Sequence, residues 1–262
     1  RRRKMAFFGH GKNLQSTGWP WAEKLKAKLI NRVDWWFAYT DISRQIVASA
    51  AFPPHKITTV QNCIDSVALR QALDAVTPGD IDRVRRKHGL DGANIGLFCG
   101  GLYPLKKIDF LLEASQIIRK RVKDFELVVV GDGPEASQIA AAARRFDWVH
   151  PVGHCVGAQL APYLRSAQAL LMPGLVGLVI IDSFVAGVPL ITTDNGIHSP
   201  EIAYLENGRN GLMTPDDESA YADTVVAYLE SGPLQAQLRQ GCAASAAKLT
   251  IENMVANFTN GI

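Results

Sequence analysis

Residues 170–212 read LLMPGLVGLVIIDSFVAGVPLITTDNGIHSPEIAYLENGRNGL, and this stretch decides the fold of the chain. The apolar run from Ala169 to Met172 predicts a buried strand that ends at Pro173-Gly174. The apolar segment from Leu178 to Ala186 predicts a helix with Gly187 as its C-terminal cap. A strand, a glycine turn and a buried helix N-terminus can bind an anion, because free backbone N–H groups and the helix dipole point at it. An ordinary turn between a strand and a helix in a doubly wound sheet fits the same spacing.

Length and composition set wide limits on the fold and the compartment. A chain of 262 residues can form two modest domains, and 47% hydrophobic with 20% charged residues is typical of a globular protein. The sequence has no apolar run of 18 residues or more, so it predicts no transmembrane helix. The four scattered cysteines form no CxxC pair, which favours reduced thiols and a cytoplasmic location. The chain opens Arg-Arg-Arg-Lys without methionine, and we expect it to be a fragment.

Positive charge is concentrated at the start of the chain. Residues 1–62 contain eleven basic and three acidic residues, although the whole chain carries a net charge of only +3. The segment from Trp21 to Arg32 predicts a helix with lysines on one face. This asymmetry is compatible with peripheral contact with an anionic membrane, and a solvated helix face is the more common explanation. Lysines are not interleaved with stacking aromatic residues, so we expect no nucleic-acid partner.

Alternating strand and helix patterns predict an α/β protein with parallel sheets. A strand from Lys4 to Gly9, an aromatic strand from Asp34 to Tyr39 and a strand from Lys56 to Val60 are separated by helical patterns. A charged, helix-like linker precedes the next strand, Asn94 to Cys99. We therefore expect three parts: residues 1–92 with the linker, residues 93–249 as a Rossmann-like second domain, and residues 250–262 as a helix that packs back towards the first part.

Several motifs occur in the order and approximate spacing of a known family. They are Phe8-Gly9-His10-Gly11, Val60-Gln61-Asn62-Cys63-Ile64-Asp65, the segment Gly100 to Lys107, Gly131-Asp132-Gly133-Pro134-Glu135, Gly177-Leu178 with Asp182, and Pro200-Glu201. The chain resembles glycosyltransferase family 4, which comprises retaining enzymes with the GT-B architecture. It departs from the family pattern at three positions, where Gly174 replaces the first glutamate, Asp182 the second glutamate and Gly101 an arginine.

The resemblance implies a function and a set of site residues. A nucleotide sugar, UDP- or GDP-linked, would be the donor substrate, with no separate cofactor and no metal, and the sugar would pass to a sugar or lipid-linked acceptor with retention of configuration. Cell-envelope polysaccharide synthesis is the implied context. The implied catalytic residues are His10, Lys106 and Asp182. The implied donor-binding residues are Gly100, Gly101, Lys106, Gly131, Gly133, Gly153, His154, Gly177, Leu178 and Asp182.

Other functions remain open at the level of sequence. A catalytically lapsed nucleotide-sugar-binding or scaffolding protein of the same fold would also tolerate glycine at positions 101 and 174. An epimerase or phosphorylase of the same architecture would need a signature that the chain lacks. A generic dinucleotide-binding enzyme is disfavoured because no G-x-G-x-x-G follows a strand and opens a helix.

The start of the chain predicts incomplete activity. Only eight residues precede Gly9, whereas in the family about a hundred residues come before this point. We expect the chain as given to bind donor without efficient transfer, and its first segment to be less stable than its second.

Overall fold

The computed structural model describes residues 3–11 and 31–261. Residues 12–30, which hold most of the predicted basic helix from Trp21, lie outside the described residues. Over the described ranges the protein alternates strands and helices, so the predicted α/β class is confirmed.

Two parallel sheets are built from the described strands. The smaller sheet has the order β1-β2-β3, and the larger has the order β6-β5-β4-β7-β8-β9. Every pair of neighbouring strands is parallel. The strands are β1 (Ala6–Gly9), β2 (Trp35–Ala38), β3 (Ile57–Thr59), β4 (Asn94–Cys99), β5 (Phe125–Val130), β6 (Val149–Gly153), β7 (Ala169–Leu171), β8 (Leu190–Thr193) and β9 (Gly211–Thr214).

Helices connect the strands and cover the sheets. Within the described ranges they are α1 (Asp41–Ser49), α2 (Ser66–Asp74), α3 (Pro78–His88), α4 (Ile108–Arg121), α5 (Ala136–Arg145), α6 (Ala161–Ser166), α7 (Val179–Ala186), α8 (Glu218–Glu230), α9 (Gly232–Ala246) and α10 (Ile251–Asn260). Gly187 ends α7 with φ +68°, as the sequence predicts. After β8 the chain forms a short 3₁₀ turn, Pro200–Tyr204. It stops there because the Asn210 side chain binds the Tyr204 carbonyl at 2.9 Å and the Glu206 amide at 2.8 Å.

The larger sheet reverses its order between β4 and β7. The chain builds outward from β4 to β5 and β6, then crosses to the other side of β4 to build β7, β8 and β9. In an open parallel sheet, such a reversal leaves a crevice beyond the carboxyl ends of the two central strands. The loops that follow β4 and β7 therefore meet at this crevice.

The two sheets belong to cores of very different size. The core of the smaller sheet has six buried members: Val33, Trp36, Ala38, Val47, Phe52 and Ile57. The larger core surrounds β4 to β8 and also includes Leu69 and Leu73 of α2 and Leu90 after α3. The sequence-based boundary at residue 92 remains a prediction, and both helices before it pack with the second domain.

The C-terminal helix α10 lies against the smaller sheet. The Phe258 ring centroid is 4.7 Å from that of Phe37 and 5.2 Å from that of Phe8. The Asn257 side chain donates to the Val60 carbonyl at 3.3 Å. The chain therefore ends on the sheet with which it begins.

Core size predicts local stability. We expect amide hydrogen exchange in native buffer to be faster in residues 35–59 than in β4, β5 and β7, by roughly tenfold or more, because opening the small core exposes much less apolar surface. Equal protection of both sheets would contradict this prediction.

Candidate functional site

A cleft of about 690 Å³ lies at the carboxyl ends of β4, β5 and β6. The loops after these strands form three of its walls, and the N-terminal half of α2 forms the fourth. Asp182 of α7 reaches the cleft from the other side of the sheet reversal. The predicted residues that line the cleft are Gly100, Gly101, Gly131, His154 and Asp182.

Close backbone contacts hold the loops around the cleft together. A Cβ atom on Gly131, whose φ is +154°, would lie 1.9 Å from the Gly100 carbonyl oxygen. A Cβ on Gly133 would lie 2.4 Å from the Leu102 oxygen. The family resemblance implies that Gly131 and Gly133 bind the donor, and the structure shows that both glycines first allow the close approach of the neighbouring protein loop. Gly131 still lines the cleft, whereas Gly133 packs behind it.

The 173–178 loop after β7 packs on the loop after β4 in the same way. A Cβ on Gly174 would lie 2.4 Å from the Leu105 oxygen, and the Leu175 amide donates to that oxygen at 2.8 Å. Position 174 therefore has no space for any side chain, including the glutamate of the family pattern. Gly174 is a packing requirement of this chain, and more than one atom group would have to move to restore an acid there.

Lys106 is a buried cation beside the cleft. Only 6% of the residue is exposed, and its Nζ donates to the Leu175 carbonyl at 2.6 Å. Burial lowers its pKa to about 8, which leaves the ammonium charged at neutral pH. A Cβ on Gly100, a cleft residue, would be 3.8 Å from Nζ. Lys106 is therefore not a surface lysine, whereas the next residue, Lys107, pairs with Asp216 on the surface.

Unused hydrogen-bond donors lie at the N-terminus of α7. In residues 3–11 and 31–261, the backbone N–H groups of Gly177 and Leu178 have no acceptor. The preceding amide, Val176, donates to Nδ1 of the buried His198 at 3.1 Å. His198 donates from Nε2 to the Thr193 carbonyl at 2.7 Å, and burial lowers its pKa, so the ring is neutral. This histidine fixes the loop that presents the two free amides.

Asp182 is a half-buried carboxyl group that no partner stabilises. It has neither a hydrogen bond nor an ion pair within the described parts of the chain. Burial raises its pKa to about 7. Together with burial, it raises the pKa of the nearby Cys99 thiol to about 12. An unsatisfied acceptor that faces a cleft is suited to bind hydroxyl groups of a ligand.

The remaining predicted residues lie at the edge of this cluster or outside it. Gly153 has φ +83° and open space around it, but it does not line the cleft. His10 belongs to the smaller sheet, where its ring packs edge-on against Tyr39 at a centroid distance of 4.4 Å. Lys106, Asp182, Gly177 and Leu178 thus belong to the loops and the helix at the sheet reversal, and of these four only Asp182 lines the cleft, whereas His10 follows a strand of the smaller sheet.

Two polar residues with no predicted role join the domains close to this site. The side chain of Asn62 donates to Oε1 of Glu201 at 2.8 Å, and the two residues are 8% and 3% exposed. The sequence noted Pro200-Glu201 as part of a motif, but its spacing could not reveal a partner 139 residues away.

Comparison with known proteins identifies relatives of the second domain. Residues 93–231 match the family model described as "Glycosyl transferases group 1". The chain is 25% identical over 185 residues to the alpha-D-kanosaminyltransferase of Streptomyces kanamyceticus, covering 68% of this chain and 47% of that protein. It is 33% identical over 195 residues to the D-inositol 3-phosphate glycosyltransferase of Streptomyces scabiei, covering 66% and 42%. The chain thus spans about half the length of the curated relatives it matches.

Solved structures show the same fold. The crystal structure of Anabaena Alr3699/HepE in complex with UDP superposes with a TM-score of 0.80 at 17% identity, covering 99% of this chain and 73% of that one. The pneumococcal O-GlcNAc transferase GtfA in complex with UDP and GlcNAc superposes with a TM-score of 0.72 at 19% identity, covering 98% and 51%. The predicted GT-B architecture is confirmed.

Over the described ranges, no helix combines the length and the apolar character needed to cross a bilayer.

Asp182 should lower the stability of the fold in a pH-dependent way. Its pKa of about 7 exceeds the 3.8 of the unfolded chain, so the folded state binds more protons between these values and loses stability as the pH rises. We expect Asp182→Asn to raise the free energy of unfolding by roughly 1–3 kcal/mol at pH 8 and to have little effect near pH 4. Urea unfolding at both pH values, with exposed Asp82→Asn as the control, measures this. A variant less stable than the parent at pH 8 would contradict it.

Proposed function

Because this chain belongs to the glycosyl transferases of group 1, we propose that its second domain binds the nucleotide-sugar donor of a glycosyl transfer. The sugar would pass to a sugar or lipid-linked acceptor with retention of configuration. The first domain would supply acceptor contacts, and no metal would take part. These finer statements rest on the resemblance in the sequence, and the geometry at the sheet reversal supports the binding of the donor.

One observation carries the proposal: a buried ammonium and two free backbone N–H groups converge where β4 and β7 end. Lys106 contributes the charge, and Gly177 and Leu178 contribute the amides at the N-terminus of α7. A diphosphate matches this donor set, because it brings two negative groups and many acceptor oxygens. Lys106 spends one of its three donors on Leu175 and keeps two for a ligand.

The rest of the cleft fits the other parts of a nucleoside diphosphate. We assign Asp182 to the ribose hydroxyl groups, since its carboxyl group is an unpaired acceptor. The base would lie against the wall that contains His154 and Ile64. Structures of Anabaena Alr3699/HepE hold UDP and UDP-glucose, which favours a uridine donor over a guanosine donor for this chain.

Catalysis by this arrangement would be mainly electrostatic. As the bond between the sugar and the diphosphate breaks, negative charge builds up on the leaving phosphate. Lys106 and the two amides would stabilise that charge without reorganisation, because they are already fixed by packing. The leaving phosphate would accept the proton of the acceptor hydroxyl, and His10 would contact the reacting sugar from the first domain.

Gly174 supports a second candidate, a binding protein of the same fold that has lost catalysis. The position of the family's first glutamate is filled by the backbone of Leu105 and Lys106. At Gly101, where the family has arginine, a Cβ would lie 2.9 Å from the Tyr103 ring. Both departures remove charged groups that the family pattern has, whereas Lys106 and the two free amides remain for the phosphates. Donor binding is therefore common to both candidates, and turnover separates them.

The location of the protein in the cell and its contact with a membrane are further proposals that rest on the same resemblance. A lipid-linked acceptor at the inner face of a membrane would bring the enzyme close to anionic headgroups. The basic residues before position 62 would then attract the protein to that surface, with a salt dependence typical of exposed charges.

The buried lysine provides the sharpest test of donor binding. We expect Lys106→Met, which keeps the side-chain length but removes the charge, to weaken UDP binding by roughly 1.5–3 kcal/mol, the value of a charge-assisted hydrogen bond. Isothermal titration at pH 7 measures the dissociation constant. The matched control is Lys107→Met, because Lys107 pairs with Asp216 and should leave affinity within about twofold.

The same titration has a pH dependence with a known sign. Lys106 loses its proton above about pH 8, so the affinity of the parent chain should fall from pH 7 to pH 9.5, while that of Lys106→Met should change less. Equal affinities of the parent and Lys106→Met at pH 7 would remove Lys106 from the site.

A further inference from the structure

The turn from His198 to Tyr204 bonds to the loop that presents the free amides. Val176 donates its N–H to the His198 ring at 3.1 Å, and its carbonyl accepts from the Ser199 amide at 3.0 Å. Val176 directly precedes Gly177 and Leu178. Both backbone groups of Val176 are therefore fixed by the 198–204 turn.

The same turn bonds to the first domain at its other end. The hydroxyl group of Tyr204 donates to the Asn62 carbonyl at 3.0 Å, and the Tyr39 carbonyl is 3.4 Å away. Glu201 accepts from the Asn62 side chain at 2.8 Å. Both residues of this contact are buried, since Glu201 is 3% and Asn62 8% exposed. The loss of one partner would leave the other as an unsatisfied buried polar group, and this would cost folding free energy.

The first-domain residues that the turn holds also carry His10. The backbone N–H of Asn62 donates to the Tyr39 carbonyl at 2.8 Å, and this bond joins the loops after β2 and β3. The Tyr39 ring packs against His10 at 4.4 Å, and its amide donates to the Gly9 carbonyl at 3.3 Å. A continuous path of bonds thus runs from Val176 through the turn to the residue before His10.

We propose that the 198–204 turn is a positioning element that couples the donor-phosphate loop to His10, with Glu201 and Tyr204 as positioning residues. The coupling itself is inferred from the hydrogen bonds alone. Its effect on sugar transfer rests on the proposed function. Neither Asn62 nor Tyr39, to which the turn bonds, lines the cleft that would hold the nucleotide, although Ile64 and Asp65, which follow Asn62 closely in the chain, do. Weakening the turn should therefore affect the relation of the domains more than donor affinity.

The coupling can be measured without turnover. In Asn62→Asp, two carboxyl groups would face each other in a buried contact, and the connection should break. We expect hydrogen exchange of the Val176 and Ser199 amides to rise at least fivefold, although the substitution lies in the other domain. In the double variant Asn62→Asp with Glu201→Gln, the amide of residue 201 can donate to the carboxylate of residue 62, so exchange should return to within twofold of the parent.

Asn257→Ala is the matched control. Asn257 also joins the domains, through the Val60 carbonyl and the Gln61 side chain, but it belongs to α10 and does not touch the turn. We expect faster exchange in residues 57–61 of this variant and no change at Val176. An equal rise at Val176 in Asn257→Ala, or no rise in Asn62→Asp, would overturn the coupling.

Donor binding and transfer then test the functional consequence. Tyr204→Phe should keep the dissociation constant of UDP and the KM for the donor within about twofold, and should lower kcat at least tenfold in a preparation that turns over. A rise in KM with unchanged kcat would overturn the positioning role. Failure of the parent chain to bind UDP would contradict the proposed function, whereas the exchange experiment on the ligand-free protein would still decide the coupling.

Discussion

The site depends on one packing contact, the direct approach of the backbone after β7 to the backbone after β4. Leu175 donates to the Leu105 carbonyl at 2.8 Å, and Gly174 leaves no room for a Cβ between the two loops. This contact closes over Lys106 and forces its ammonium to bind the Leu175 carbonyl. Helix α7 begins directly after this loop, and the Gly177 and Leu178 amides have no acceptor within the described residues. The position of the loop proposed to bind phosphate therefore follows from glycine packing within the protein.

The same packing leaves charges that the protein itself does not neutralise. Lys106 is buried with a carbonyl group as its hydrogen-bond acceptor, and Asp182 is half buried with no partner within the described residues. Each group costs folding free energy, which shows in the lowered pKa of one and the raised pKa of the other. A nucleoside diphosphate would provide anionic oxygens for the lysine and hydroxyl groups for the carboxylate. In the proposed function, relief of these two costs would contribute to ligand affinity.

Local patterns in the sequence were sufficient for much of the fold. The strand and helix around residues 169–187 and the cap at Gly187 follow from spacing and turn chemistry, whereas Pro200-Glu201 is noticed only through the family resemblance. Lys106 and Asp182 could be singled out because they occur within a recognisable order of motifs. What spacing could not show is contact between distant segments. Gly174 looked like the loss of an acid, and only the position of Leu105 reveals that it is required for packing.

The sequence does not predict the contacts that join the two domains either, because they also link distant segments. Glu201 and Tyr204 find their partners near residues 39 and 62, and no periodicity relates such positions. The sequence predicts a linker before residue 92 and does not separate α2 from it. The apolar residues of α2 pack against the core of the larger sheet, which the local pattern of this segment does not show. Burial of a side chain against residues that are distant in the sequence can be recognised only in the three-dimensional structure.

The location of bound UDP tests the central claim most directly. A crystal structure of the chain soaked with UDP should show the diphosphate within hydrogen-bond distance of the Gly177 and Leu178 amides and of Lys106 Nζ, with the ribose at Asp182. A nucleotide bound elsewhere, or a diphosphate that avoids both the amides and Lys106, would contradict the account.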